Sequence, residues 1–227
     1  MIRTVAETGS TNDDLAALAR DGAPEGLWLR AERQTGGKGR QGRHWVSPLG
    51  NLYASTLVRL QPHDPPAATL ALVAGVAAHE AARAHAPAVQ IKWPNDLLAD
   101  GAKLAGILLE RQDDAVILGF GVNLAHHPEG LDRPVTDLRL LSGTAPDPAL
   151  FLRALADSFA RWLAVWRTQA LPPVRAAWLE AAHPVGTPLA AADAEGLFDG
   201  LDEDGALRLR LADGTTRVIH AGDVFLI

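Results

Sequence analysis

Residues 34–45, Gln-Thr-Gly-Gly-Lys-Gly-Arg-Gln-Gly-Arg-His-Trp, constrain this chain more than any other stretch. Gly36, Gly37, Gly39 and Gly42 interleave with Lys38, Arg40 and Arg43, and no acid interrupts them. Glycine permits positive φ and a close approach to a ligand, but it loses much entropy when ordered. Clustered like charges add repulsion. An anion offsets both costs, so the segment reads as a mobile basic loop that orders over phosphate or carboxylate. It holds no G-x-x-x-x-G-K-[ST], and its G-x-G-x-x-G opens no helical pattern, so neither the Walker loop nor the dinucleotide fingerprint fits. A flexible surface loop is the plain alternative.

The background against which this loop sits is acidic. The net charge is -6 over 227 residues, which favours a local anion site over a broad nucleic-acid surface. A hydrophobic content of 48% supports a real core, and the length fits one large domain or a medium and a small one. The absence of cysteine excludes thiol catalysis, disulfides and cysteine metal sites. Met1-Ile2-Arg3-Thr4 is not the start of a signal peptide, and the longest apolar stretch, 67–88, carries His79, Glu80 and Arg83. The expectation is a cytoplasmic protein with neither DNA nor membrane as partner.

In chain order, 2–6 reads as a strand, and Gly9 to Asp14 as the capped start of a helix that Gly22 stops. One of Ser10, Thr11 and Asn12 suffices as a cap; three together also make a donor and acceptor cluster at a helix N-terminus. A strand over 27–32 leads into the glycine loop, and another follows over 51–59. Pro65-Pro66 opens an alanine-rich helix to about residue 85. A strand over 89–92 runs to Trp93-Pro94-Asn95-Asp96. Then come a strand over 97–99, a hairpin turn at Asp100-Gly101, a return strand over 103–110, a turn at 112–114 and a strand over 115–123. Gly119 and Gly121 clear one face of that last strand for a ligand or another backbone.

Residues 124–136 have the length of a lid or binding loop. Their His126-His127 pair lacks a third ligand at fixed spacing, so a metal reading is set aside. Asp147-Pro148 starts a helix whose stripe Phe151, Leu155, Phe159, Trp162 and Trp166 faces a core. Pro172-Pro173 starts another. From His183-Pro184-Val185-Gly186 the pattern changes to short strands with turns at 193–196, 202–205 and 212–214. The division expected is a main domain over 1–182 and a small β module over 183–227. The fold class is α+β, a mixed β-sheet flanked by helices with a small C-terminal β-barrel.

Gly-Ser-Thr-Asn (9–12), the loop 34–45, Lys-Trp-Pro-Asn-Asp (92–96), Lys-Leu-Ala-Gly-Ile-Leu (103–108) and Gly-Phe-Gly-Val-Asn (119–123) stand in the order and spacing of biotin protein ligases. The resemblance covers the whole chain, including a C-terminal module ending Ala-Gly-Asp-Val, and is to the monofunctional type without the N-terminal winged-helix domain. It implies a class II synthetase-like catalytic domain and an SH3-like barrel. It also implies a two-step reaction. Biotin's carboxylate attacks the α-phosphate of Mg-ATP, giving biotinyl-5'-AMP and pyrophosphate; a lysine of a biotin carboxyl carrier domain of a carboxylase then takes the biotinyl group and AMP leaves.

Carried over residue by residue, the resemblance makes Lys92 the lysine between carboxylate and α-phosphate, with Arg40 forking onto the same oxygens as the second catalytic group. Ser10, Thr11, Asn12 and Gln34 fall on the biotin head. Lys38 and Gly39 offer backbone groups, and Leu97, Gly119, Gly121 and Val122 wall the apolar ring and tail. Arg43, Trp45, Asn95, Lys103 and Asn123 fall on ATP or the adenylate, with 124–136 closing over adenine. Mg2+ would ride on the phosphates, with no side-chain ligand assigned. Lys38 and Gln41 depart from arginines frequent in the family, and Phe120 must face away from biotin. The alternative is a lipoate- or octanoate-handling relative, but a plain acyl chain gives the polar triplet and Gln34 no partner. Monomer and homodimer are both open, the latter through edge strands near the 103–123 hairpin.

Overall fold

A computed structural model describes residues 1–131, 133–191 and 194–227. Seven strands make the main sheet: β1 (Ile2–Thr8), β2 (Trp28–Gln34), β3 (Leu52–Arg59), β4 (Val89–Lys92), β5 (Asp96–Ala99), β6 (Ala102–Gln112) and β7 (Ala115–Val122). Their order is β1-β2-β3-β7-β6-β5-β4; only β1 and β2 run parallel. The antiparallel run follows from turn chemistry. Asp100 and Gly101 both adopt positive φ (50° and 77°), and so does Asp113 (54°), in the two turns that fold β5 onto β6 and β6 onto β7. The β6–β7 hairpin is therefore central and the sheet edges are β1 and β4, which corrects the expectation of an exposed edge near 103–123.

Helices cover both faces. Ser10 caps α1 (Thr11–Arg20), whose Leu15 and Ala19 bury against Leu27, Leu29, Leu57 and Ile117. The other face carries α2 (Leu70–Arg83) and two helices from further along the chain. Asp147 Oδ1 accepts from Ala149 N and Leu150 N to start α4 (Pro148–Gln169), and α5 (Leu171–Ala181) follows. Covered on both faces, β3 buries nearly every side chain instead of alternating. The α4 stripe enters the core as its spacing demands: Phe159 meets the rings of Trp28 and Phe120, and Trp166 donates to Thr69. Trp162 is only half-buried and donates to Glu80. One short helix, α3 (Leu138–Ser142), was not foreseen; Asp137 caps it and Gly143 ends it, too soon for any periodicity to register.

The C-terminal β module is a five-stranded antiparallel sheet, β11-β10-β9-β8-β12, of β8 (Pro188–Ala191), β9 (Ala194–Leu201), β10 (Leu207–Arg210), β11 (Thr216–Ile219) and β12 (Val224–Leu226). Asp193, expected in a turn, lies outside the described residues; Ala194 to Gly196 belong to β9. Phe198, Leu201, Leu207 and Val224 join one continuous core with Val174 and Trp178. A bridge from Ala182 to Ile91 and a hydrogen bond from Trp93 Nε1 to Gly205 O fix this sheet beside β4. That junction delivers β12 to the open end of the main sheet. Among the described residues, no helix is long and apolar enough to cross a membrane.

His183 sits in the junction, 5% exposed, its ring edge-on to Phe198 at 4.6 Å and its Nε2 without a partner. Burial, with a smaller push from Lys92, takes its pKa from 6.5 down to about 4. Below pH 6.5 the unfolded chain takes up a proton that the folded imidazole refuses, so stability is lost as pH falls toward 4. Denaturant titrations of wild type and His183→Gln across this window should diverge by about 2–3 kcal/mol, the variant showing the shallower loss. Parallel curves would contradict the burial argument.

Candidate functional site

The chain's stations converge on one cleft at the sheet's open end, about 850 Å³ of empty space counting its mouth. Ser10, Thr11, Asn12, Gln34, Lys38, Gly39, Arg40, Arg43, Trp45, Lys92, Asn95, Lys103, Gly119 and Gly121 all line it. Three expected residues do not. Leu97 and Val122 are fully buried in the core, because strand alternation that turns Asp96, Gly119 and Gly121 to the cleft turns their neighbours inward. Asn123 is also buried; its Nδ2 donates to Thr136 O and ties down the loop after β7. By the same alternation the Phe120 ring meets Trp28 and Phe159 in the core, although the residue itself borders the cleft.

At one end of the cleft the helix-start triplet is knitted to its surroundings. Thr11 N and Oγ1 both donate to Gln34 Oε1, at 2.8 and 3.1 Å. Ser55 Oγ lies 2.7 Å from Thr11 Oγ1 and 2.6 Å from Asn12 Oδ1, and Asn12 Nδ2 donates to Glu110. Ser10 has only a long cap bond, 3.5 Å from Asp13 N, which leaves its hydroxyl the freest donor of the group. Ser10 is thus the cap, while Thr11 and Asn12 are held by Gln34, Ser55 and Glu110.

The basic loop is folded as a tight hairpin. Gly39 N donates to Arg43 O and Trp45 N to Gly37 O, while Gln41 (φ 58°) and Gly42 (φ 70°) make its tip. The anion it was expected to need is internal. Asp223, just before β12, lies 3.0 Å from Arg43 and 3.5 Å from Arg40, and Arg40 also donates to Gly222 O and Asn95 Oδ1. Lys38 pairs with Asp13 at the rim.

Behind the loop, Asp96 stands between two ammonium groups, 2.5 Å from Lys103 Nζ and 3.2 Å from Lys92 Nζ, and Lys92 also donates to Val224 O at 2.7 Å. Burial works to raise the Asp96 pKa, but the two lysines outweigh it and hold the carboxyl below its ordinary range. Burial also pushes Lys103 down, since it shares its one counter-ion with Lys92. Asp96 is therefore more than a turn residue, and Lys103 does pair with an acid while facing the cleft.

The floor is glycine. Gly106 pairs with Gly121 in β6–β7, and Gly119 pairs with Ser55 in β3–β7. A Cβ on Gly121 would come within 2.6 Å of the Trp45 indole, and one on Gly119 within 2.2 Å of Asn12 Oδ1. The cleared face thus admits Trp45 and Asn12 directly onto the backbone. Gly119→Ala must push Asn12 off Ser55 and Glu110, so thermal denaturation should show a loss of about 1–3 kcal/mol. An unchanged melting temperature would mean that the contact carries no constraint.

Sequence reasoning missed the acids that organise these cations, Asp13 and Asp223, together with the Val224 carbonyl and Arg133, which also lines the cleft. Asp223 lies about 180 residues from the arginines it holds, and no spacing rule joins them. His127 pairs with Asp137 at 2.6 Å, and no group of three metal-ligand side chains occurs among the described residues.

Residues 8–123 match the biotin/lipoate A/B protein ligase family and residues 189–227 the biotin protein ligase C-terminal domain. The biotin–[acetyl-CoA-carboxylase] ligase of Paracoccus denitrificans is 41% identical, over 97% of this chain and 98% of its own length. That of Mycobacterium tuberculosis is 37% identical, over 97% of this chain and 86% of its own. The biotin protein ligase of Aquifex aeolicus, solved with biotin and ATP, superposes with a TM-score of 0.90 over 100% of this chain and 99% of its own, at 25% identity. The chain belongs to the biotin/lipoate A/B protein ligase family.

Proposed function

We propose that this chain is a biotin protein ligase that joins biotin to AMP in the cleft and passes the biotinyl group to a lysine of a biotin carboxyl carrier domain. The observation that carries the reading is the convergence of cations from four separate segments on a cleft that also holds a hydroxyl and amide cluster. A carboxylate and a triphosphate repel one another, so joining them needs fixed positive charge where the new bond forms. Lys92 and Lys103 supply it. Both are anchored on strands, and Asp96 holds both ammonium groups between them, so little reorganisation is left for the reaction. Arg40 and Arg43 are forked donors suited to phosphate oxygens.

In this reading Ser10, Thr11, Asn12 and Gln34 face the ureido head, a group with both donors and an acceptor. The ring and tail run beside Trp45, which itself lies on the glycine floor, and the carboxylate points at Lys92 and Lys103. A carboxylate oxygen bonds to the α-phosphorus as the bond to pyrophosphate breaks. In the second step a carrier lysine amine bonds to the acyl carbon and AMP leaves with the bonding pair. Residues 1–182 form the catalytic unit, and 183–227 complete the site with Asp223 and Val224. Asp13, Asp96 and Asp223 each face a cation, and in this reading Mg2+ arrives on the nucleotide's phosphates.

Pyrophosphate exchange into ATP with biotin, lipoate and octanoate tests substrate and chemistry together. Biotin alone should support it, and Lys92→Ala and Lys103→Ala should each lower it about 10²–10³-fold, about 2.7–4 kcal/mol of transition-state stabilisation. Exchange driven by octanoate would favour the acyl-chain relative; full exchange in both variants would remove the lysines from the chemistry.

A further inference from the structure

Six cationic side chains line the cleft, and three carboxylates account for five of them: Asp13 for Lys38, Asp223 for Arg40 and Arg43, Asp96 for Lys92 and Lys103. The sixth, Arg133, has no ion pair or hydrogen bond with any described residue. Its placement is nonetheless fixed from the C-terminal side. Lys103 N donates to Pro134 O at 2.9 Å, Thr136 N to Lys103 O at 3.0 Å, and Val135 bridges Lys103 in parallel. Asn123 Nδ2 holds Thr136 O from the end of β7. The segment carrying Arg133 is thus laid along the start of β6, beside Lys103, one of the two largely buried lysines of the site. Its charge acts against the Lys103 ammonium. A half-buried arginine next to a buried lysine is unfavourable in the empty cleft and becomes favourable when an anion enters.

We propose that Arg133 is a phosphate-binding residue for the nucleotide, the one cationic side chain lining the cleft that pairs with no acid among the described residues. This rests on the ligase reading above. Arg40 and Arg43 must first give up Asp223 before they can take a phosphate, whereas Arg133 has no acid to give up among the described residues. Its planar fork can donate to two oxygens of one phosphate, which a lysine ammonium cannot do with the same geometry. The residue lies in 124–136, the segment expected to close over the nucleotide, and gives that segment a chemical reason to do so.

Calorimetric titration of Mg-ATP into biotin-saturated protein, for wild type, Arg133→Ala and Arg133→Lys, tests this. Arg133→Ala should bind ATP at least about tenfold more weakly with a shallower dependence on salt, and Arg133→Lys should fall between the two. Biotin affinity measured without nucleotide, and the melting temperature, should stay at wild-type values in both, which separates a phosphate contact from a merely structural role. ATP affinity within about twofold of wild type in Arg133→Ala overturns the inference and leaves the ligase reading intact. Wild-type protein that binds no ATP overturns the ligase reading and the inference with it.

Discussion

A single buried carboxylate, Asp96, with an ammonium group on either side, is the interaction on which the site depends. Lys92 and Lys103 sit on different strands of one hairpin arrangement, and like charges so close would drive the strands' ends apart without an acid between them. Removing one partner of such a buried group leaves an uncompensated charge, which costs more than the pair itself contributes. The strands can be held this way because the Asp100-Gly101 turn pairs Leu98 with Lys103, and a one-residue register shift between Leu97 and Leu98 then places Asp96 opposite Gly106. Glycine there leaves room for Lys103 to lie over the sheet, within 3.3 Å of where a side chain would begin. Local backbone chemistry thus decides where charge can collect.

The same device recurs at the cleft's outer side with a different mobility. Asp223 is about one-quarter exposed and holds Arg40 and Arg43 through salt bridges reachable by solvent. Exposed pairs of this kind are weak. A polyphosphate that brings several charge-assisted hydrogen bonds can replace Asp223, whereas it cannot replace Asp96. The C-terminal sheet therefore does more than cover a core: its last strand reaches the site through Asp223 and through the Val224 carbonyl on Lys92. The glycine loop, costly to order by itself, is ordered by an acid of its own chain.

Much of this was legible in the sequence. Turn dipeptides gave the hairpins, the aromatic stripe of α4 gave its core face, and glycine with charge located the basic loop. Resemblance added the roles that spacing alone left open. What could not be read were contacts across the chain. Asp13 carries no motif, the Ala-Gly-Asp-Val around Asp223 says nothing of the arginines it meets, and Arg133 is one charge in an irregular loop. Leu97 and Val122 stand off the cleft lining because a motif names a stretch, while strand alternation sends neighbouring residues of that stretch to opposite faces. The short helix after Asp137 is a matter of one cap and one glycine, too little pattern to stand out.

The central claim is that Asp223 occupies the seat of a ligand anion and yields it on binding, while Asp96 keeps its place between two lysines. A crystal structure with a non-hydrolysable analogue of biotinyl-AMP measures this directly. The account expects the phosphate mimic within hydrogen-bonding distance of Arg40 and Arg43, Asp223 withdrawn from both, and the acyl oxygen facing Lys92 and Lys103 with Asp96 still between them. An analogue bound in the cleft while both arginines remain on Asp223 would contradict it.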